Sequence, residues 1–488
     1  MSARRCDDDV VHRPRTWHFV MHMLAEVKEC AKRAGARLPY TVQEIVLSGY
    51  FYFKSKRIHG RAFVAALEEL SASEGYGQDQ LNVLQAGHLR RVVAAATHTP
   101  YYSKLFRESG IDPARIRTAE DLKMLPLLEK DAVRRHPGDF VDRRLNRRSL
   151  QLSYTSGTTG TPLRLYLSPD YEALEEAFVV RQWRWAGLSV TDRRVRLRGD
   201  LIVPAGRASA RPWLRNYADH ELRMSSYHLN KQTIRSYVER INSFGARAII
   251  AYPSSASLLA ALVEEEKLQC HIPLVFTSSE SLSASQRELV RRRLGARIFD
   301  HYGMTEGVVA IQECEFGGLH VLPEYGITEF VPSEDQGMTE LHEIVATGFT
   351  NSAMPLLRYR TGDHARIVPG ATCACCRAFP VVKEILGRSD DFVVAASGAL
   401  AGRMDHVFKG LSDIVEAQII QEEDGGIRVL VVPGEGYAES LRDSIKDNVQ
   451  QRVGPLPVSV EEVSMIPRGV NGKFRTVVSR RVRKPLAS

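Results

Sequence analysis

The sequence predicts an α/β protein: a large N-terminal domain of layered sheets and helices over residues 1–387, then a small α+β C-terminal domain over 388–488. Three observations carry this reading. Between 148 and 370 short apolar runs alternate with helical stretches, the pattern of parallel strands joined by helices. After Gly387 the pattern changes to a hairpin, one helix and a further strand within about a hundred residues, the ordinary size of a domain. The 488 residues also exceed what one hydrophobic core usually serves.

Taken in order, residues 1–15 are polar, charged and without period, and read as a loose tail, whereas 17–34 reads as an amphipathic helix. Helical patterns continue to Arg135, including 80–96, with a loop expected after it at THTPYYSKL (97–105) and a break at 125–128 around Pro126. Strands are expected at LRLYL (163–167), RAIIAYP (247–253), PLVFTSS (273–279) and ARIFDHYG (296–303), with a helix over 283–294 before the last. Functional loops then fall at the strand ends. In the C-terminal part IVEAQIIQEE, the turn Asp424-Gly425-Gly426 and IRVLVVP form a hairpin. A helix follows over 438–453, then the strand VSVEEVSMI.

With 44% hydrophobic and 25% charged residues, the composition is that of a soluble globular protein. The formal charge of +8 sits partly in runs such as Arg291-Arg292-Arg293, which read as solvated faces with some attraction for anions. Neither an RNA-binding aromatic signature nor zinc-finger spacing is present, so no nucleic-acid partner is expected. No apolar run approaches the about 20 residues of a membrane span. The acidic triplet Asp7-Asp8-Asp9 argues against a signal peptide, and a cytoplasmic location is expected. Seven cysteines, an odd number, do not make a disulfide framework in such a chain.

SYTSGTTGTP (153–162) concentrates hydroxyls around Gly157 and Gly160. The glycines permit backbone geometry in which successive amides point inward, a donor surface suited to phosphate oxygens. By itself the run reads more readily as a polar turn, and no Gly-Lys-Ser/Thr closes it as in a Walker A loop. Four further segments follow: FTSSE (276–280), HYGMTEG (301–307), RYRTGD (358–363) with LGRSDDFV (386–393), and IPRGVNGKFR (466–475).

In that order the five motifs resemble the adenylate-forming superfamily of acyl-CoA ligases, adenylation domains and luciferases, and most of all its phenylacetate-CoA ligase and CapK-like branch. The resemblance runs from about 85 to 480. It implies a large adenylate-forming domain with a small mobile lid. It further implies that Thr155, Ser156, Gly157, Thr158, Thr159 and Gly160 hold the β and γ phosphates of ATP. Ser278, Ser279 and Glu280 would wrap the adenine, Tyr302 would offer a stacking face, and Thr305 a hydroxyl to the α-phosphate. Glu306 would bind magnesium, which needs one or two carboxylates because it keeps waters and phosphate oxygens as its other ligands. Asp363, in the turn after Tyr359-Arg360-Thr361-Gly362, would accept both ribose hydroxyls, assisted by Arg388, and Asp390 matches the hinge of the lid. Lys473 matches the lysine that bridges carboxylate and α-phosphate, a long cation placed where negative charge accumulates. Many relatives carry a lysine after the proline of the first motif, where this chain has Leu163-Arg164. Tyr252, Ser254, Gly303 and Met304 lie near positions that line the acyl pocket in relatives, and aromatic or medium-sized acids follow from the resemblance.

Cys314 and His320 form one close pair, and Cys373 and Cys375 another about fifty residues on. Three thiolates and an imidazole suit a structural, tetrahedral zinc ion. Relatives in the CapK-like branch carry a similar Cys, His, Cys-x-Cys set. A group of buried thiols beside a hydrogen-bonded histidine is the other reading, and Cys376 competes with Cys375 for the fourth position.

The resemblance implies an enzyme with ATP, magnesium and a small carboxylic acid as its reactants, releasing pyrophosphate and leaving an acyl-adenylate. Coenzyme A is the expected acceptor, with an amine or a separate carrier protein as alternatives, and the chain is expected as a monomer or homodimer. A nucleotide-binding scaffold with a decayed adenylation fold is the non-enzymatic alternative, opposed by the presence of Thr305, Glu306, Asp363, Arg388 and Lys473 together.

Overall fold

The structure, a computed structural model, describes residues 38–155, 163–199, 202, 211–332, 341–388, 393–396, 400–401, 404–408, 411, 414–434, 436–468 and 474–480. The expected tail at 1–15 and helix at 17–34 lie outside them.

Helices Tyr40–Ile58, Arg61–Ser73, Gln78–Ala96 and Pro100–Ser109 open the chain. The last replaces most of the loop expected at THTPYYSKL: Thr99 caps it by accepting the Tyr102 amide, Pro100 occupies the first turn, and Gly110 closes it at φ 65°. Its apolar side sends Tyr102 and Phe106 into the main core.

Strands β1 (Gln151–Tyr154) and β2 (Arg164–Leu167) pair antiparallel. The run at 163–167 is therefore the second arm of a hairpin and not a member of a parallel sheet. Only nine residues separate the arms, too few for the crossover that a parallel pair demands.

There follow β3 (Arg194–Arg198), β4 (Trp213–Asn216), β5 (Glu221–Ser225), β6 (Ala248–Ala251), β7 (Leu274–Ser278), β8 (Arg297–Gly303), β9 (Ala310–Glu313) and β10 (Leu319–Val321). Next come β11 (Gly326–Pro332), β12 (Leu341–Gly348), β13 (Tyr359–Arg366), β14 (Val381–Val382) and β15 (Glu384–Arg388). Among the described residues the large sheet runs β14-β10-β9-β8-β7-β6-β3-β5-β4. Its centre, β5 through β8, is parallel, and β4, β9, β10 and β14 flank it antiparallel. Both faces are covered, which is why β6 reads AIIA without alternation. Ile249 joins a core with helices Ile234–Phe244, Pro253–Glu265 and Ala284–Leu294, while its neighbour Ile250 joins the opposite core beneath helix Tyr171–Trp185.

A second sheet, β11-β12-β13-β15, is antiparallel throughout. The expected turn at Asp363 is instead a bulged part of β13. Arg360 pairs with Val345 and His364 with Glu343, so 361–363 face Ile344 alone. Gly362 at φ 73° accommodates the distortion.

In the C-terminal part β18 (Ile414–Gln421) and β19 (Ile427–Pro433), after the short pair β16 (Val393–Val394) and β17 (Leu400–Ala401), form the hairpin expected around Asp424-Gly425-Gly426. With β20 (Val458–Glu462) and β21 (Val477–Ser479) they make a sheet ordered β20-β19-β18-β21. Helix Glu439–Val453 buries Ile445, Val449 and Val453 against it.

Candidate active site

The C-terminal ends of β3, β6, β7 and β8 bring Arg198, Tyr252, Ser278 and Tyr302 into one neighbourhood, the side of a parallel sheet on which ligands bind. Arg198 donates to Ser278 Oγ at 2.6 Å and its guanidinium lies 5.3 Å from the Tyr252 ring centroid. Ser279, exposed at the strand end, has φ 72°, an uncommon conformation for a residue with a Cβ. Beside them, burial and the Arg198 charge push His301 down to about 4, so its imidazole is neutral at pH 7. A Cβ on Gly303 would lie 2.8 Å from His301 Nε2, and Met304 packs against the main core.

Glu280 takes a role that its motif does not announce. Its Oε2 accepts the Ser254 amide at 3.0 Å, and its Oε1 accepts the Phe474 amide at 2.6 Å. Ser254 lies in the first turn of helix Pro253–Glu265, whose amides lack partners within the helix, so a carboxylate there is doubly favoured. The carboxylate expected at the adenine thus spans Ser254 and the C-terminal part.

Tyr302 is tied by its hydroxyl as well as by its ring. It donates to Asp363 Oδ2 at 2.7 Å, and burial together with the Asp363 charge raises the phenol well above its ordinary value, keeping it a donor. The bulge of β13 brings Asp363 there, and in the backbone register Asp363 pairs with Arg388 of β15. Two residues from distant motifs are thereby neighbours across adjacent strands.

Glu306 is buried, and its Oε1 accepts both Lys130 Nζ and the Tyr359 hydroxyl at 3.1 Å. Thr305 beside it is exposed. Tyr359 belongs to the RYRTGD motif and was available to motif reasoning, but Lys130, in a helix far upstream, carries no local signal. Thr155 closes the neck of the Gly/Thr loop, its amide donating to the Leu163 carbonyl and its Oγ1 accepting the Leu163 amide, both at 3.0 Å. Arg164 extends along the exposed face of β2, 6.0 Å from the Tyr166 ring centroid. Ser156, Gly157, Thr158, Thr159, Gly160, Asp390 and Lys473 lie outside the described residues.

The four expected metal-ligating side chains converge. Cys314, His320, Cys373 and Cys375 bring their ligand atoms within 4.8 Å of one another. Cys314 Sγ lies 3.5 Å from Cys373 Sγ, and Cys375 Sγ 3.2 Å from His320 Nε2. A tetrahedral ion with sulfur and nitrogen ligands sets its ligand atoms roughly 3.3–3.8 Å apart, so the donor set fits zinc in chemistry and spacing. His320 Nδ1 is 3.3 Å from the Phe379 carbonyl, the outer partner that leaves Nε2 directed inward. A Cβ on Gly318 would lie 2.6 Å from Cys373 Sγ, so glycine is what lets the two loops close. Cys376 is exposed, with its Sγ 3.6 Å from the Ala374 carbonyl, and stands outside the group.

Residues 395–480 match the family model for the CapK C-terminal domain. The chain is 22% identical to protein CapK of Staphylococcus aureus over 389 residues, 78% of this chain and 85% of that protein. It is 27% identical to the phenylacetate-coenzyme A ligase of Thermus thermophilus over 443 residues, 83% and 97% of the two chains. The crystal structure of 2-hydroxyisobutyryl-CoA ligase in the postadenylation state with 2-HIB-AMP has the same fold, with a TM-score of 0.66 at 20% identity over 84% of this chain and 91% of that one. With its motifs in order along the chain and relatives matched over most of their length, the protein is similar to the phenylacetate-CoA ligases and to CapK, and residues 395–480 match the CapK C-terminal domain.

Proposed function

We propose that the protein is an acid–thiol ligase that activates a small carboxylic acid with ATP and passes the acyl group to coenzyme A. In the first step a carboxylate oxygen attacks the α-phosphorus of ATP, the bond to the bridging oxygen breaks, and pyrophosphate leaves an acyl-adenylate. In the second the coenzyme A thiol, losing its proton, attacks the acyl carbon and AMP departs. Carboxylate oxygen is a poor leaving group and AMP a good one, so catalysis consists of positioning and charge neutralisation.

The observation that carries the reading is the pairing of Tyr302 with Asp363 at the end of the parallel sheet, beside buried Glu306. In this assignment Asp363, with Arg388, holds the ribose, and residues 155–160 receive the departing phosphates. Thr305 addresses the α-phosphate and Lys473 the reacting carboxylate, while the part from 388 onward turns about Asp390 between the steps. Glu306 would hold magnesium, a position that already accommodates the Lys130 cation; bound there, the metal neutralises phosphate charge. Cys314, His320, Cys373 and Cys375 would hold zinc as a structural ion that pins two loops together. Tyr252, Ser254, Gly303 and Met304 line the acyl side, and an aromatic or medium-sized acid suits them. Among the described residues no helix is long and apolar enough to cross a membrane, and a cytoplasmic location with its ATP and coenzyme A fits this role.

The test is pyrophosphate release across a panel of acids, with and without coenzyme A, for the wild type and Lys473→Ala. Acid-dependent release that needs Lys473, with thioester appearing only when coenzyme A is present, is the expected result. Release without thioester, and amide in the presence of amines, would replace coenzyme A by an amine as acceptor.

A further inference from the structure

Glu280 is the acceptor of two amides that belong to different parts of the chain. Ser254 lies on the large sheet's own helix, and Phe474 follows Lys473 directly in sequence. Two converging N–H donors call for two acceptor oxygens on one rigid group, which among side chains only a carboxylate supplies. The contact to residue 474 is made to its backbone, so it fixes the position of the chain there whatever side chain stands at 474.

The other side of Phe474 is held as well. Its buried ring lies 4.7 Å from the Arg468 guanidinium, and Arg468 in turn donates to Glu416 Oε1 at 2.6 Å. Arg468 therefore links the Phe474 ring to Glu416 of the small part. Phe474 is thus held on its backbone by Glu280 and, through Arg468, on its ring by Glu416.

We propose that Glu280 is a positioning residue for the adenylation step: its carboxylate docks the C-terminal part against the large sheet in the orientation that presents Lys473 to the α-phosphate. The inference rests on the assignment of Lys473 and on the turning about Asp390 proposed above. Because Glu280 draws on one amide from each side, turning the small part about its hinge breaks the Phe474 bond and leaves the Ser254 bond. The docking contact thus belongs to one half-reaction and is absent from the other.

The two half-reactions are separable: acid-dependent exchange of labelled pyrophosphate into ATP reports adenylation, and thioester formation from supplied acyl-adenylate and coenzyme A reports the second step. In Glu280→Gln an amide group replaces one acceptor oxygen and faces an N–H donor, and Glu280→Ala removes both acceptors. In both variants exchange is expected to fall about tenfold or more relative to the thioester step, the loss appearing in kcat. Equal losses in both half-reactions, or in neither, would overturn the proposal. A matched rise in KM for ATP and for acyl-adenylate would also overturn it and return Glu280 to the adenine. Lys473→Ala measured alongside separates the premises. If it keeps full exchange, the lysine assignment fails; if it loses exchange while both Glu280 variants keep it, the docking role alone fails.

Discussion

The ammonium of Lys130 lies 3.1 Å from Glu306 Oε1, although 176 residues separate the two in sequence. A buried carboxylate paired with one cation is poised to exchange it for another. Lys130→Met, which keeps the stem and removes the charge, is expected to lower the magnesium concentration for half-maximal pyrophosphate release about three- to tenfold at fixed ATP. A rise in that concentration would show instead that Lys130 helps to hold the nucleotide.

Tyr302→Phe retains the ring and deletes only the hydroxyl that Asp363 accepts. A hydrogen bond to a charged group contributes about 1.5–3 kcal/mol, so KM for ATP should rise roughly tenfold or more. Stacking alone would predict no change. Initial rates against ATP concentration decide between them.

Protein purified without a metal-binding tag is expected to carry about one zinc per chain. Cys314→Ser and Cys373→Ser should abolish that content and lower the melting temperature by several degrees, whereas Cys376→Ser should leave the zinc in place, since Cys376 lies outside the group. Gly318→Ala, which drives a methyl into Cys373 Sγ, should weaken zinc retention without removing a ligand. Elemental analysis before and after dialysis against a chelator measures all four.

Burial pushes the Glu175 carboxyl up to about 7, beside the Tyr325 hydroxyl that donates to it at 2.5 Å. The folded state therefore binds this proton more tightly than the unfolded chain does. Its stabilising contribution is fully present below about 4.5 and is lost as pH rises through about 7. Glu175→Gln cannot ionise, so its melting temperature relative to wild type should climb by a few degrees between pH 5 and pH 8. A constant difference would remove Glu175 as the source.

The sequence was most legible where periodicity and turn chemistry agree. AIIA announces its strand and Asp424-Gly425-Gly426 its hairpin, whereas THTPYYSKL reads as a loop because its polar, proline-bearing start hides the cap at Thr99 that opens a helix. LRLYL was misread as a parallel strand because an apolar run reveals strand character but not its partner. Asp363 read as a turn because Thr-Gly-Asp has turn composition; only pairing with β12 and β15 makes it a bulge. The convergence of Cys314 and His320 with the Cys373 pair was legible because cysteine and histidine spacing records it, but only the folded loop decides between Cys375 and Cys376. Lys130 and the Phe474 amide were not, one being a lysine with no motif and the other a backbone atom, which no side-chain pattern can reveal.

Among the described residues β14, two residues long, is one of the two edge strands of the large sheet, and the loop bearing Cys373 and Cys375 leads into it. Closed on a zinc ion, the cysteine and histidine group would be a clasp on the sheet's margin. Were it opened by a chelator or an oxidant, β14 would lift from Leu319 and His320 and bare the amides and carbonyls of β10 to other molecules. A bared edge of that kind recruits strands from neighbouring chains. If the group holds zinc as proposed, treatment with a chelator would show itself first as turbidity, before any loss of helix.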